Sequence, residues 1–329
     1  MASAQNPRHG KKPTVVITGG DYYLGHEFAR LLLSEKRGDF ARLSVTMVHP
    51  ERGKQLERAG AEIKQIKYDD DNSLTNAFGG EVNWVVLVPD PEEDTRVQYT
   101  KKLIDAIQKA GKVANVVVIS SAAAEEQERE HLKEFKEIED YVKEKGQNWV
   151  ILRLSWISDT FHLWSTKVIE RAEFPLTIEK DQMFAPIQLE DVTRAIHTIV
   201  HQDNQSHHGQ TYTLTGPKKI DGPYVVKALN EAIGHGNVQY KKVTPQELKD
   251  YLESLRNRDD DRHKRRFEGQ PTDKQIHTIL DELEWVRTGA ADFRTEDLSK
   301  LINSKGAPIE QFFKKHSADF GGRDDDDNE

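Results

Sequence analysis

A glycine-containing turn between an apolar strand and an amphipathic helix constrains this chain more than any other feature. The stretch Thr14–Gly25 reads Thr-Val-Val-Ile-Thr-Gly-Gly-Asp-Tyr-Tyr-Leu-Gly and runs into a helical pattern over residues 26–36. This order is typical of the first βαβ unit of a nucleotide-binding sheet. In such a unit the glycines let the backbone approach a pyrophosphate, which lies on the free N–H groups and the positive dipole end of the helix.

The turn keeps the first and last of the three expected glycines. Gly19 and Gly25 are correctly spaced, Gly20 follows the first, and Tyr22 takes the middle position. A phenol ring would stand where phosphate oxygens normally lie, and Asp21 adds a negative charge beside a negative ligand. Two interpretations stay open: an altered loop that still binds a dinucleotide, or a strand-turn-helix in which Asp21 caps the helix in place of a phosphate.

The composition argues against several classes of function. A net charge of −9 disfavours a nucleic-acid surface, and the basic run 262–266 follows three aspartates, which favours a solvated face or loop over a DNA or nuclear-import patch. The chain has no cysteine and therefore no disulfide or thiolate site. Residues 1–12 do not resemble a secretory signal, and no run approaches the ~18 apolar residues of a membrane helix. We expect a soluble cytoplasmic protein, with entry into the nucleus left open.

Strands and helices alternate through the first half of the chain. Apolar runs at 14–17, 43–48, 62–67, 83–88, 115–120 and 149–153 are separated by helical patterns, including a long charged one over 125–145. The alternation predicts an α/β fold with a doubly wound parallel Rossmann sheet. We assign 1–12 to a flexible tail, 13–155 to the Rossmann domain, 156–316 to a smaller α/β C-terminal region at the carboxyl edge of the sheet, and 317–329 to an acidic disordered tail.

Several stretches beyond the turn resemble the NmrA-like family, an atypical branch of the short-chain dehydrogenase/reductases. These stretches are Asp105–Gly111 before Val116–Ser121, His131 with Glu137–Tyr141 and Trp149–Arg153, Asp191-Val192, Tyr212–Gly216, and Thr244–Glu247. The resemblance covers roughly residues 13–255. It implies a Rossmann domain that binds NADP or NAD, in a family where some members are redox-sensing regulators that bind partner proteins and others reduce small molecules.

The resemblance also implies where a cofactor would bind. The candidate residues are Gly19, Gly20, Tyr22 and Gly25 in the turn, His49, Arg52 and Lys54 after the second strand, Val88 and Pro89 after the fourth, and Ser120 at the end of the fifth. NADP-binding members usually place an arginine for the 2′-phosphate where this chain has His49. Arg52 and Lys54 are either substitutes for it or ordinary charged residues that open a helix. Ser120 is the catalytic candidate, although a serine that ends a strand is also ordinary.

Two features of the long helix bear on catalysis: the residue at position 135 and the pair Tyr141 and Lys145. Many members carry a lysine there that reaches the nicotinamide ribose, and the matching position is Phe135. Lys133 and Lys136 lie on either side, but a helix turns ~100° per residue, so neither points where residue 135 does. Tyr141 and Lys145 match the Tyr-x-x-x-Lys pair of typical superfamily members, but they lie at the far end of the helix from the cofactor edge. We interpret Tyr141 as a packing residue.

The histidines suggest no metal site. His197 and His201 have the i, i+4 spacing that can bind a metal, but spacing offers no acidic third ligand. His207 and His208 lie in a polar loop. We interpret all four as surface histidines and expect no metal.

Two functions remain as hypotheses. The first is a regulatory or scaffold protein, of the kind that acts in transcriptional regulation, whose NAD(P) site is weakened or lost and which works through protein contacts. The second is an NAD(P)H-dependent reductase of a small carbonyl or unsaturated substrate, with Ser120 or a residue of the C-terminal region supplying the proton. The first requires a protein partner, the second requires NADP(H) and a small-molecule substrate, and neither decides between a monomer and a homodimer.

Overall fold

The computed structural model describes residues 11–89, 91, 95–146, 148–202, 206–234, 236–256 and 271–322. The basic run 262–266, most of the N-terminal tail and residues 323–329 of the acidic tail lie outside these residues. None of the helices in the described ranges is both long and apolar enough to cross a bilayer.

A seven-stranded parallel sheet forms the centre of the molecule. Its strands are β1 (Thr14–Ile17), β2 (Arg42–Met47), β3 (Glu62–Gln65), β4 (Val82–Leu87), β5 (Val113–Ser121), β6 (Trp149–Leu154) and β8 (Gln210–Leu214). They lie in the order β3-β2-β1-β4-β5-β6-β8, and each neighbouring pair is parallel. The strand order reverses direction between β1 and β4, which is where ligands bind in open α/β sheets. The predicted doubly wound Rossmann sheet is confirmed.

Helices cover both faces of this sheet. One face packs against α1 (Tyr23–Lys36), α2 (Lys54–Ala59) and α7 (Leu189–His201), and the other against α3 (Asp71–Ala77), α4 (Arg96–Ala110) and α5 (Glu130–Glu144). Successive strand residues serve opposite faces: Val15 and Ile17 belong to the first core and Val16 to the second. The central strands β1 and β4 are apolar on both faces for this reason, whereas the edge strand β3 is mostly polar and partly exposed.

A third core holds the C-terminal region together. It contains α6 (Ser165–Arg171), α8 (Gly222–Ile233), α9 (Pro245–Leu255), α10 (Asp273–Arg287), α12 (Ile309–Lys315) and the parallel pair β7 (Glu173–Leu176) and β9 (Gln239–Lys242). The short helix α11 (Asp297–Ile302) packs instead on α7. Thr244 and Glu247 form the expected capping box at the start of α9.

Three sequence-based boundaries differ from the structure. The long charged helix begins at Glu130 rather than at residue 125, because β5 continues to Ser121 and a turn follows it. Strand β8, assigned to the C-terminal region, pairs with β6 and completes the central sheet. The acidic tail begins later than residue 317, because Ser317–Phe320 form a 3-10 turn and Phe320 is fully buried in the third core.

We predict that Gly25→Ala lowers the free energy of unfolding by about 2–3 kcal/mol, the cost of overpacking a tight contact. A Cβ at this position would lie 2.3 Å from the carbonyl oxygen of Gly19 and 2.5 Å from that of Thr18. Urea unfolding measures the change. Gly38→Ala is the matched control, since its Cβ would meet no atom within 4 Å, and we expect it to change stability by less than about 0.5 kcal/mol. Equal effects of the two substitutions would contradict the packing argument.

Candidate functional site

The glycines of the turn do what the Rossmann architecture requires of them. Gly19 has a φ of 72°, a left-handed conformation that favours glycine. Gly25 allows α1 to approach the backbone of the turn, and a Cβ on Gly20 would lie 2.4 Å from the Val45 side chain. These three residues therefore explain the shape of the turn whether or not a ligand binds to it.

Asp21 binds the backbone at the end of β2. Its carboxylate accepts hydrogen bonds from the N–H groups of Val48 (2.6 Å) and His49 (2.9 Å). The interpretation in which Asp21 caps α1, one of the two left open by the sequence, is wrong on this point: Tyr22 is the N-cap residue and makes no side-chain cap bond. The carboxylate instead lies at the carboxyl end of β2, the part of a Rossmann site that faces the adenosine ribose.

Two N–H groups of the turn are bonded within the protein. Gly20 donates to the carbonyl oxygen of Thr46 (3.0 Å), and Tyr22 donates to that of Gly19 (3.1 Å). In a phosphate-binding turn such groups would face the ligand. The Tyr22 side chain contributes to the wall of the adjacent cavity.

The three candidate residues after β2, His49, Arg52 and Lys54, do not line the cavity that Tyr22 lines. The imidazole of His49 lies 3.4 Å from the Glu51 carboxylate, and Arg52 and Lys54 are exposed. None of these three side chains belongs to the cavity wall.

A mainly apolar cavity of about 190 Å³ lies at the carboxyl edge of the sheet. It is lined by the turn, the ends of β4, β5 and β6, and helices α5 and α10. The lining residues include Tyr22, Tyr23, Leu24, Val88, Pro89, Pro91, Arg96, Ile119, Ser120, Ser121, Phe135, Leu154, Ser155, Gln275, Thr278, Ile279 and Glu282. The structure thus brings four of the candidate residues together at the cavity: Tyr22, Val88, Pro89 and Ser120. The volume of this cavity is smaller than the roughly 300–1,000 Å³ of pockets that bind drug-sized ligands.

Buried ion pairs hold α10 over this cavity. The Arg96 guanidinium donates to the Thr278 hydroxyl (2.9 Å) and to the Glu134 carboxylate (3.1 Å), and the Lys274 ammonium donates to the other oxygen of Glu134 (2.6 Å). Arg96 and Lys274 are both buried. Removing one partner of such a pair leaves an uncompensated charge, so these contacts fix α10 in place as one wall of the cavity.

Phe135 lies in the cavity wall. Its ring faces the Arg96 guanidinium, whose carbon lies 4.7 Å from the ring centroid. Lys136 points elsewhere and binds Asp140, and Lys133 is exposed. Helix α5 therefore offers an aromatic surface to the cavity at this position.

Ser120 is committed to a buried polar network. Its hydroxyl donates to Glu139 (2.6 Å), and Arg153 donates to both oxygens of the same carboxylate (2.9 and 2.7 Å). These hydrogen bonds with Glu139 raise the pKa of Arg153 above its ordinary value. Ser120 therefore joins β5, β6 and α5. At the far end of α5 the Tyr141 hydroxyl donates to Asp105 and is remote from the cavity wall.

The sequence analysis missed Glu282, a carboxylate in the cavity wall. Burial raises its pKa to about 7; the charge of Arg96 opposes this shift and the charge of Asp281 adds to it. The available signal was its place on α10, three residues after the inward-facing Ile279 and therefore on the same side of the helix. A carboxyl group that titrates near neutral pH inside a cavity is able to give up or take up a proton there.

Tyr23 connects the turn to the C-terminal region. Its hydroxyl donates to Asp159 (2.9 Å), a buried carboxylate in the 3-10 segment Ser158–Trp164. Burial, together with the nearby charge of Glu190, raises the pKa of Asp159. The same segment contributes Thr160 and Leu163 to the cavity wall.

We predict that Ser120→Ala lowers the free energy of unfolding by about 1–2 kcal/mol. The reason is that the buried carboxylate of Glu139 loses the hydrogen bond that the Ser120 hydroxyl donates to it. Ser34→Ala, which removes a bond from a helix-surface hydroxyl to a neutral carbonyl oxygen, serves as the control and should cost about 0.5 kcal/mol or less. Urea unfolding compares the two variants. An unchanged stability for Ser120→Ala would contradict the structural role of the hydroxyl.

We also predict that Glu282 makes the fold less stable as pH rises. Its pKa of about 7 in the folded state exceeds its ordinary value of 4.5, so the folded chain binds more protons and stability falls between about pH 4.5 and pH 7. Glu282→Gln should raise the free energy of unfolding at pH 8 by on the order of 3 kcal/mol and have a much smaller effect at pH 5.

Urea unfolding across this pH range tests the prediction, with Glu144→Gln on the exposed side of α5 as the control. If Glu282→Gln changed the free energy of unfolding equally at pH 5 and pH 8, the raised pKa of Glu282 would be refuted.

Known proteins share this architecture. Residues 11–274 match the model of the NmrA-like family. The NADPH-dependent quinone oxidoreductase of Escherichia coli, complexed with NADPH, is 21% identical over 92% of this chain and 99% of that chain, with a TM-score of 0.75. The triphenylmethane reductase of Citrobacter sp., complexed with NADP(H), is 17% identical over 92% and 99% of the two chains, also with a TM-score of 0.75.

NmrA itself, a negative transcriptional regulator solved in complex with NADP, is 12% identical over 93% of this chain and 95% of that chain, with a TM-score of 0.69. At these identities the likeness to solved structures shows the shared fold. No curated protein matches this chain. The match to the family model spans most of the chain, and the chain therefore belongs to the NmrA-like family.

Proposed function

We propose that this protein is a regulatory or scaffold member of its family, with a weakened or lost NAD(P) site, and that it acts through contacts with a protein partner. The observation that carries the proposal is the Asp21 carboxylate on the N–H groups of Val48 and His49. A dinucleotide that entered this site would meet a fixed negative charge and would compete for backbone donors that are already bonded.

The electrostatic cost is large enough to matter. Two like charges 4 Å apart repel by about 4 kcal/mol at the effective dielectric constant typical of a protein surface. The 2′-phosphate of NADP(H) carries such a charge, and Asp21 occupies the edge of the sheet that this group approaches. The penalty should therefore be greater for NADP(H) than for NAD(H), which carries a hydroxyl at the same place.

Two further features support the proposal. Tyr22 replaces the middle glycine and its N–H is bonded to Gly19. Phe135 replaces the lysine of many relatives and packs against Arg96. Three separate parts of the site differ from the pattern that the family implies: the turn, the end of β2 and helix α5. In each part, groups that would bind an anion are replaced by groups that make contacts within the protein.

We predict that the double variant Asp21→Thr with Tyr22→Gly binds NADPH at least tenfold more tightly than the wild type, as measured by isothermal titration calorimetry. Asp21→Asn is the matched single variant, because it keeps an oxygen acceptor for Val48 and His49 and removes only the charge. It should favour NADPH over NADH more strongly than the wild type does. No gain in either variant would show that these two residues are not what opposes binding.

The second candidate function is a reductase of a small carbonyl or unsaturated substrate. The specific observation in its favour is Glu282, a carboxyl group whose pKa is raised to about 7 by burial in the cavity wall. Such a group carries a proton in about half of the molecules at neutral pH and is able to donate it to a substrate oxygen in the cavity. This candidate requires a dinucleotide, which Asp21 and Tyr22 oppose, and we rank it second.

NADPH consumption in the presence of a small quinone tests this second candidate. An enzyme that uses Glu282 as its acid should lose activity by about 100-fold or more in Glu282→Gln and keep its activity in Ser120→Ala. Turnover that survives Glu282→Gln would remove Glu282 from the reaction, and absence of turnover in the wild type would leave the regulatory proposal alone.

A further inference from the structure

The fold brings His162 close to His316 and Asp319. His162 is far from the other two in sequence, and His316 and Asp319 are three residues apart. His162 lies in the 3-10 segment Ser158–Trp164, His316 follows α12, and Asp319 lies in the turn Ser317–Phe320. The Asp319 carboxylate oxygen lies 3.3 Å from Nδ1 of His316 and 3.9 Å from Nδ1 of His162. One ligand atom from each residue lies within 4.8 Å of the other two.

We propose that His162, His316 and Asp319 bind a zinc ion, with water in the fourth position. Imidazole nitrogens and a carboxylate oxygen are ordinary zinc ligands at about 2.0–2.2 Å, and three such atoms around one tetrahedral ion lie roughly 3.3–3.6 Å apart. The observed separations reach this arrangement with small side-chain movements. The chain has no cysteine, so a zinc site here must be built from nitrogen and oxygen ligands.

The surroundings favour a cation. The acidic residues Asp159 and Glu190 both interact electrostatically with His316. Lys315 pairs with Glu190 and offsets part of that charge. The ring of His162 is buried and packs against Phe312 at 5.1 Å and Phe320 at 5.6 Å between centroids. An ion at this place would lie near these acidic residues and would be partly shielded from water by the rings around His162, which strengthens its electrostatic interactions.

A zinc ion would tie two parts of the C-terminal region together. The 3-10 segment that carries His162 also contributes Asp159, which binds Tyr23, and Thr160, which lines the cavity. The turn that carries Asp319 is the last described element of the chain. Metal binding would therefore stabilise this cavity-lining segment against the turn Ser317–Phe320, independently of any dinucleotide.

Zinc titration of the untagged full-length chain tests the proposal, after treatment with a chelator and its removal. We expect one zinc per chain by calorimetry and a rise in Tm that depends on zinc concentration. Asp319→Asn keeps the size of the side chain and should weaken zinc binding at least tenfold. His316→Gln should do the same, and provides a second variant if the first fails to fold by circular dichroism.

His201→Asn is the matched control, because it removes a histidine of the i, i+4 pair on α7 and leaves the proposed ligands intact. Cobalt provides a spectroscopic check: a visible absorption that Asp319→Asn abolishes and His201→Asn preserves supports the assigned ligands. The proposal is overturned if the wild type binds no zinc at micromolar concentration, if Asp319→Asn binds as the wild type does, or if His201→Asn is the variant that loses binding.

Discussion

The rest of the candidate site depends on the hydrogen bonds that the N–H groups of Val48 and His49 donate to the Asp21 carboxylate. They connect the glycine turn to the end of β2, and they place a negative charge at the edge where a Rossmann fold holds the ribose of its cofactor. Charge-assisted bonds of this kind are about twice as strong as neutral ones. These bonds hold the glycine turn against the end of β2 from within the protein, with Tyr22 at the middle position of the turn.

The cavity next to the turn depends on a second set of polar contacts. Arg96 and Lys274 both bind Glu134 and so hold α10 across the carboxyl edge of the sheet. This helix brings Glu282 into an apolar wall and leaves a space suited to a small molecule. The protein thus combines a turn whose Asp21 carboxylate and backbone donors are bonded within the protein with an adjacent cavity that contains a titratable carboxyl group. That combination is why the regulatory proposal stands first and the reductase remains as its competitor.

The sequence predicts the fold better than it predicts the site. Gly19 and Gly25 mark a strand-turn-helix through local spacing, and alternating apolar runs then define a parallel sheet, so the architecture follows from short-range patterns. Phe135 was placed in the site by its distance from His131 and the Glu137–Tyr141 match. The partners of Asp21 could not be foreseen, because its bonds join residues on different elements that meet only after folding. Glu282 was missed for the same reason: its burial is a property of how α10 packs, whereas its spacing shows only which side of the helix it occupies.

The most direct measurement is isothermal titration of the wild-type chain, stripped of bound nucleotide, with NADPH, NADP, NADH and NAD in turn. Our account predicts no binding of NADPH or NADP tighter than about 1 mM, which corresponds to roughly −4 kcal/mol. A micromolar Kd for NADPH, about −8 kcal/mol, would contradict it, because the phosphate would then have overcome both the Asp21 charge and the Tyr22 ring.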